Sequence, residues 1–293
     1  MNEIKTNSLQ AWVLAARPKT LSGAAVPVMI GLALAISDGH FRGMPALLCF
    51  LFAFLMQIDA NFINDYYDCK RGLDNGERLG PKRACTEGWI TMPAMRKGIA
   101  VTTVLSCLAG LPLVLYGGWP MVVIGVLCVV FCFLYTTCLA SLGLGDVLVV
   151  AFFGVVPVFT TYYLQTQLIE PFALILGFAC GLAVDTLLVV NNYRDREQDK
   201  ANGKKTLAVI AGEKSTEFLY LEMGFCAAAL CQTLWLVGKE EAALLVLPYF
   251  VLHFIAFRRM RRIRRGKALN EVLEATARNI LLFGVLLSIG LII

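Results

Sequence analysis

Long apolar runs alternate with short polar connections along almost the whole chain. A helix that crosses a membrane needs about 20 consecutive, mostly apolar residues. By this measure the sequence predicts nine membrane spans, with approximate ends at 20–37, 44–63, 97–116, 119–140, 144–165, 171–190, 217–238, 241–257 and 278–293. The eighth and ninth runs are short, so we expect tilted or partly interfacial helices there. The pattern predicts an all-α, polytopic membrane protein with a single domain over residues 1–293.

The connections between these spans differ in length and polarity. Those at 38–43 and 117–118 are a few residues long, whereas those at 64–96 and 191–216 are long and rich in ionisable groups. Loops held by a rigid scaffold commonly carry function. We therefore expect the polar chemistry on the side of the membrane where the two long loops lie.

Composition and charge agree with a membrane protein. Hydrophobic residues make up 58% of the 293 residues and charged residues only 16%, against about 25% charged in soluble domains. If the nine spans are real, 24 of the 26 Lys and Arg residues fall on one side, and only Arg42 and Lys239 on the other. Positive loops stay inside, which predicts a cytoplasmic N-terminus in, most simply, a bacterial cytoplasmic membrane. The basic run 258–267 predicts contact with anionic lipid, and nothing indicates nucleic acid.

Two similar polar motifs follow the second and sixth spans. The first, NFINDYYD, covers 61–68, and the second, NNYRDREQD, covers 191–199; each contains N-x-x-x-D. This likeness indicates an internal duplication, with motif one at 61–74 and motif two at 191–205. On a continuing helix, the Asn and Asp side chains of each motif fall within an arc of about 100° or less. Each helix end then presents a polar stripe with at least two carboxylates.

Three interpretations of these stripes remain open from the residues alone. They are solvated helix ends, part of an ion or proton path, or ligands of Mg²⁺ that holds a phosphorylated molecule. Clustered carboxylates repel one another, and basic residues flank both motifs. Cations and carboxylates alternate naturally around a metal and a diphosphate, which favours the third interpretation. The basic residues that we expect to bind a diphosphate are Arg17, Lys19, Arg78, Arg83, Lys204 and Lys205.

These stretches resemble the UbiA superfamily of intramembrane aromatic prenyltransferases, most closely its 1,4-dihydroxy-2-naphthoate polyprenyltransferase (MenA-type) branch. The resemblance covers most of the chain and rests on ARPKTL at 16–21, NDYYDCKRGLD at 64–74, ERLGPKRA at 77–84, GLGDVLVVAFFG at 143–154 and NNYRDREQDKANGKKTLAV at 191–209. It implies nine helices around a central cavity, with a cytoplasmic cap formed by the two motif loops.

The resemblance also implies a site and a reaction. Mg²⁺ would be the cofactor, and its ligands would come from Asn64, Asp65, Asp68, Asn191, Asp195 and Asp199, with Asp74 further along. A polyprenyl diphosphate would lose pyrophosphate, and an aromatic acceptor, 1,4-dihydroxy-2-naphthoate, would capture the allylic carbocation and give a demethylmenaquinone. Asn64, Asp68, Asp195 and Asp199 would be the catalytic residues. The pocket for the acceptor or carbocation would include Tyr135, Asp146, Tyr162 and Tyr163.

The chain departs from this family pattern at one place. Relatives usually carry a lysine between spans four and five, whereas here no Lys or Arg lies between Lys97 and Arg194. Either another basic residue substitutes for that lysine, or the substrate is handled differently. The alternatives are an enzyme that uses another acceptor, such as 4-hydroxybenzoate, and a protein of another class, a transporter or a lipid-binding membrane protein.

Overall fold

Nine membrane-length helices form the described part of the chain. The structure, a computed structural model, describes residues 4–72 and 79–293, so Asp74 and Arg78 lie outside the described residues. Within those ranges the helices long and apolar enough to cross a membrane are α1 Leu9–Ser37, α2 Gly43–Lys70, α3 Met92–Gly117, α4 Pro120–Thr137, α5 Gly145–Thr166, α6 Pro171–Ala201, α7 Leu207–Val237, α8 Glu240–Ile263 and α9 Leu269–Ile292. The predicted all-α fold class and number of spans are confirmed.

The helices extend beyond the apolar runs that predict them. Helices α2 and α6 continue to Lys70 and Ala201, so both polar motifs are helical, as expected. Helix α9 begins at Leu269, nine residues before the expected start, and it is not short. The added turns carry charged residues, which an apolar run does not reveal. We call the end of the bundle where α2 and α6 terminate the basic face, and the other end the opposite face.

Helix α1 is interrupted at Arg17, which adopts a left-handed conformation with φ 50°. A residue that precedes proline is driven away from the helical conformation, and Pro18 follows. The Asn61 side chain stabilises the break, since its Nδ2 donates to the Ala16 carbonyl over 2.9 Å and to Thr20 Oγ1 over 3.0 Å. The sequence ARPKT is therefore positioned at the basic face by α2.

Helix α6 is the centre of the bundle. It is the most buried of the nine, with 67% of its apolar window buried, against 11% for α4. It packs on α1, α5, α7 and α9, and its core residues are small, including Ala173, Ala179 and Ala183. Small residues let helix backbones approach closely in a membrane. The second polar motif therefore lies at the end of the most buried helix.

Glycines bring α5 and α6 into backbone contact. Gly154 lies in a π-helical stretch, Ala151–Val155. A Cβ placed on it would lie 2.4 Å from both the Gly177 carbonyl oxygen and the Gly181 Cα. No side chain fits in that space. This contact fixes the depth at which the residues of α5 and α6 face one another.

Gly154→Ala tests this contact. The added methyl group must push the backbones of α5 and α6 apart, and overpacking of this kind costs about 1–3 kcal/mol of stability. We expect a lower thermal unfolding temperature in detergent. The matched control is Gly125→Ala on α4, where a Cβ would meet nothing within 4 Å. An equal effect of the two substitutions would contradict close packing at Gly154.

Candidate active site

The side chains of the first motif reach toward different neighbouring segments. Asn64 accepts a hydrogen bond from Thr136 Oγ1 at the end of α4. One turn further along α2, Asp68 pairs with Arg83, Nη2 to Oδ2 at 2.8 Å, and both side chains are largely buried. Asn64 and Asp68 therefore present oxygens toward α4 and the 79–91 segment. We call the space between the tips of α2 and α6 the vestibule.

Asp65 does not take part in the vestibule. Its two carboxylate oxygens accept the backbone N–H groups of Ala84 and Cys85, over 2.9 Å and 3.0 Å, and the side chain is buried. Both oxygens are thus used to hold the 79–91 segment against α2. Burial first, and the negative charge of Asp65 second, raise the pKa of the Cys85 thiol. Asp65, which the resemblance places among the metal ligands, is an anchor for a loop in this structure.

The second motif is organised by Arg194, whose guanidinium is almost completely buried. It donates two hydrogen bonds to the Asp195 carboxylate, Nε to Oδ1 at 2.7 Å and Nη2 to Oδ2 at 2.5 Å. The same Nη2 donates to Asn191 Oδ1 over 2.9 Å, and Nη1 donates to Asn270 Oδ1 over 2.8 Å. Paired hydrogen bonds of this kind fix geometry as well as charge. Arg194 was not among the residues predicted from sequence, because only the acids and amides of the motif were considered as ligands.

Asn270 and Gly80 connect the second motif to the loop that follows the first. Asn270 Nδ2 donates to the Leu79 carbonyl over 2.9 Å. Gly80 lies against Arg194, because a Cβ at that position would be 2.7 Å from Nη2. The sequence LGPKRA is therefore shaped to cover the guanidinium. Gly80 stands in ERLGPKRA, one of the stretches on which the family resemblance rests, but its partner Arg194 is 114 positions away in sequence.

The two acidic tips converge on one vestibule. Asp199 lies near enough to Asp195 and Asp68 for their charges to interact, and it pairs with Lys204, Nζ to Oδ1 at 3.5 Å. Asp68 belongs to α2, whereas Asp195 and Asp199 belong to α6. The structure thus brings together the carboxylates of both motifs at the basic face.

Three other basic residues near the basic face contact segments outside the two acidic tips. Lys19 forms an exposed ion pair with Glu274 at 3.4 Å. Lys205 donates its backbone N–H to the Ser141 carbonyl over 2.9 Å. Arg71, which sequence reasoning did not select, donates to the carbonyls of Thr136 and Thr137. Arg71 therefore brings positive charge to the α4–α5 connection, where the sequence has no cation of its own, and the Lys205 backbone is bound to the same connection.

The four predicted pocket residues do not come together. Tyr135 contacts Gly145, since its Cε2 is 3.6 Å from an ideal Cβ there, and it lies within electrostatic range of Asp146 and Asp68. Tyr162 instead donates to Asp38 Oδ2 over 2.8 Å, at the opposite face. Helix α5 runs away from the basic face after Gly145, so Tyr162 lies about 24 Å from Asp146 along the axis. Its neighbour Tyr163 shares that position and stacks on Phe159.

The donor set of the vestibule suits Mg²⁺. Among the described residues, no group of three or more His, Cys, Asp or Glu side chains is arranged to hold a metal ion unaided. The acids and amides of the two motifs offer oxygen ligands only. Mg²⁺ prefers oxygen, and it usually binds one or two carboxylates together with water and substrate phosphates. The residues therefore fit a magnesium ion that binds jointly with a phosphorylated molecule.

Comparison with known proteins identifies relatives over most of the chain. The model of the UbiA prenyltransferase family matches residues 24–286. The chain is 38% identical, over 73% of its length and 72% of the relative, to the 1,4-dihydroxy-2-naphthoate octaprenyltransferase of Escherichia coli (strain K12). It is 32% identical to the enzyme of that name from Haemophilus influenzae, covering 97% of this chain and 96% of that protein.

Solved structures show the same fold. A UbiA homolog from Aeropyrum pernix K1 superimposes with a TM-score of 0.70 at 14% identity, covering 92% of this chain and 96% of the other. A UbiA homolog from Archaeoglobus fulgidus bound to DMAPP and Mg²⁺ gives a TM-score of 0.63 at 14% identity, covering 95% and 99%. At such low identity the likeness shows the fold alone.

Replacement of Arg194 tests its role as the organiser of the vestibule. Arg194→Ala leaves Asp195 and two amides without their partner, and loss of one member of a buried ion pair costs about 3–5 kcal/mol. Arg194→Lys should recover little of this, because an ammonium group cannot make the paired hydrogen bonds. Thermal unfolding in detergent measures both. The control is Arg265→Lys, an exposed ion pair whose loss should cost about 1 kcal/mol or less.

Asp65→Ala tests whether Asp65 anchors the 79–91 segment or binds a metal ion. The substitution leaves the Ala84 and Cys85 N–H groups unpaired, so the 79–91 segment should detach more often from α2. We expect faster trypsin cleavage after Lys82 and Arg83, at a rate that Mg²⁺ does not change. Asp65→Asn, which retains one acceptor, should be intermediate. Cleavage at the parental rate in Asp65→Ala would show that the two hydrogen bonds do not hold the segment.

Proposed function

The chain belongs to the UbiA prenyltransferase family, and we propose that it transfers a polyprenyl group from a polyprenyl diphosphate to 1,4-dihydroxy-2-naphthoate in a Mg²⁺-dependent reaction of menaquinone biosynthesis. The observation that carries the proposal is the convergence of carboxylates from α2 and α6 on one vestibule, interleaved with basic side chains. The names of the relatives support naphthoate as the acceptor. The A. fulgidus homolog bound to DMAPP and Mg²⁺ supports the metal and the diphosphate.

Oxygens at the tips of α2 and α6 would hold the metal. Asn64 and Asp68 would contribute from α2, and Asn191, Asp195 and Asp199 from α6. Bound there, Mg²⁺ supplies Lewis-acid stabilisation of the negative charge on the leaving pyrophosphate. The convergence of the two tips supports joint binding from both helices, because neither tip alone offers more than two of the carboxylates proposed as ligands.

The basic side chains of the vestibule would bind the diphosphate. Arg83 and Lys204 pair with Asp68 and Asp199, so each stands beside a proposed metal ligand and can share its charge between carboxylate and phosphate oxygens. Arg194 is different, because its hydrogen bonds all go to protein groups; it orients Asp195 and Asn191. Arg71 and Lys205, at the α4–α5 connection, are the candidates for the cation that this connection lacks.

The reaction needs a dry pocket beneath the vestibule. The C–O bond of the allylic diphosphate breaks with both electrons leaving on pyrophosphate. A ring carbon of the acceptor donates an electron pair to the new C–C bond, and loss of CO₂ returns a pair to the ring. The product is the prenylated hydroquinone. Tyr135, whose charged neighbours include Asp146 and Asp68, would stabilise the allylic cation with its π face.

The distribution of charge supports an orientation of the protein in the membrane. The basic face carries the motif loops and the run 258–267, in which all seven Lys and Arg side chains are exposed. We propose that this face is cytoplasmic, that the N-terminus is on the same side, and that the run contacts anionic lipid. The membrane would be a bacterial cytoplasmic membrane.

Replacement of the acids tests the proposal directly. Protein in detergent or vesicles is supplied with a polyprenyl diphosphate, 1,4-dihydroxy-2-naphthoate and Mg²⁺, and prenylated product is measured by mass spectrometry. We expect turnover that EDTA abolishes and Mg²⁺ restores. Asp68→Asn and Asp195→Asn should each lower kcat by about 100-fold or more, since they remove charge from the leaving-group site.

The matched control is Glu197→Gln, which removes an exposed carboxylate from the same tip of α6, where it faces Arg265. It should leave turnover nearly unchanged. Substitution of 4-hydroxybenzoate for the naphthoate tests the alternative acceptor. Wild-type protein that binds Mg²⁺ yet forms no prenylated product with either acceptor would disprove the proposed activity.

A further inference from the structure

The hydroxyl group of Thr136 forms a hydrogen bond between two helices. A threonine inside a helix can donate to the carbonyl four residues earlier in its own helix, as Thr137 does to Phe133 over 2.9 Å. Thr136, on the last turn of α4, donates instead to Asn64 Oδ1 on α2. The Thr136 side chain is buried, so this hydrogen bond is made away from water.

The end of α4 is attached to α2 by polar groups at two points. Little of α4 is buried by apolar packing, only 11% of its apolar window. Arg71, which directly follows α2, donates from Nη1 to the Thr136 carbonyl over 3.2 Å and from Nη2 to the Thr137 carbonyl over 2.5 Å. Asn64 and Arg71 are seven residues apart, so they lie on one side of α2. Both the backbone and the hydroxyl of Thr136 are therefore held by α2.

The orientation of the Asn64 amide decides what this side chain can bind. An amide has an acceptor oxygen and a donor NH₂ group, and the two exchange places when the group turns by half a rotation. Only the oxygen can bind Mg²⁺. The Thr136 hydroxyl donates to that oxygen and thereby fixes its place. An amide oxygen has two lone pairs, so one remains for a metal ion.

A neutral donor distinguishes Asn64 from the other proposed ligands. Those ligands are each paired with a basic side chain: Asp68 with Arg83, Asn191 and Asp195 with Arg194, and Asp199 with Lys204. The Thr136 hydroxyl adds no positive charge beside the ion. Its removal therefore changes the orientation of one ligand and leaves the charge of the vestibule as it was.

We propose that Thr136 is a positioning residue of the metal site and holds the Asn64 oxygen in place for Mg²⁺. This inference rests on the proposed function, in which Asn64 is a ligand. Groups that hydrogen-bond to a metal ligand orient it, and their loss typically lowers metal affinity or activity by about 10–100-fold. Thr136 is not itself a ligand in this arrangement, and it acts through Asn64.

Thr136→Val tests the role directly, because valine is similar in shape to threonine and lacks the hydroxyl. The unfolding temperature is measured while Mg²⁺ is titrated at a fixed concentration of pyrophosphate, since a ligand that binds only the folded protein stabilises it. We expect the Mg²⁺ concentration that gives half of this stabilisation to rise about tenfold or more. The Mg²⁺ concentration for half-maximal turnover should rise with it. Thr136→Ser retains the hydroxyl and should restore both values.

Thr137→Val is the matched control. It removes a hydroxyl from the same turn of α4, but one that is bonded to Phe133 of its own helix. Both Mg²⁺ midpoints and the acceptor KM should stay near the wild-type values. Equal Mg²⁺ affinity in Thr136→Val and Thr137→Val would overturn the proposal, even if Thr136→Val alone lowered the unfolding temperature without Mg²⁺.

Asn64→Asp isolates the orientation of the amide. A carboxylate presents an oxygen whichever way it turns, so in this background Thr136→Val should no longer weaken Mg²⁺ binding. A full loss of affinity in the Asn64→Asp background would show that Thr136 does not act by orienting Asn64, and the proposal would be wrong. If Thr136→Val does not fold, Thr136→Ala removes the same hydroxyl and should raise the same Mg²⁺ midpoint.

Failure of this inference is distinguishable from failure of the proposed function, because stabilisation by Mg²⁺ and pyrophosphate needs neither acceptor nor turnover. If wild type prenylates the naphthoate but Thr136→Val binds Mg²⁺ as tightly as wild type, only the positioning role is wrong. If wild type forms no prenylated product, the proposed activity is wrong, and the Mg²⁺ titration still tests Thr136. Wild type that gains no stability from Mg²⁺ with pyrophosphate would contradict both.

Discussion

The arrangement of the basic face depends on one buried guanidinium. Arg194 holds Asp195 and Asn191 on its own helix, Asn270 at the start of α9, and the backbone of Gly80 above it. A buried charge is tolerated only when its partners are complete. Three segments that are distant in sequence therefore have to meet at one place and in one register. The convergence of the two acidic tips follows from that requirement.

Much of the fold could be predicted from sequence because the membrane imposes a simple rule. Backbone groups in hydrocarbon must bond within the helix, so apolar runs indicate helices and the number of spans is readable. The rule reports only the apolar part of each helix, which is why the first turns of α9 were missed. The added turns of α2 and α6 carry the polar motifs, and their helical conformation was inferred from the spacing of the Asn and Asp residues.

The details of the site were less predictable, for physical reasons. Asp65 and Asp68 are both acids on the same turn of α2, yet one binds backbone N–H groups and the other an arginine. That difference depends on a loop whose path the local sequence does not encode. Tyr162 lies at the opposite face, where it donates to Asp38, and a motif does not reveal which end of its helix a side chain occupies. Arg194 was overlooked because its partners are far away in sequence.

The interrupted first helix has an evolutionary consequence. The Asn61 amide satisfies the Ala16 carbonyl and the Thr20 hydroxyl that the break at Arg17 exposes. The first asparagine of motif one is therefore occupied by the chain itself. Natural selection should therefore couple Asn61 to the ARPKT segment and not to the ligand. Substitutions at Asn61 and in ARPKT should occur together during divergence, while the neighbouring acids stay constant.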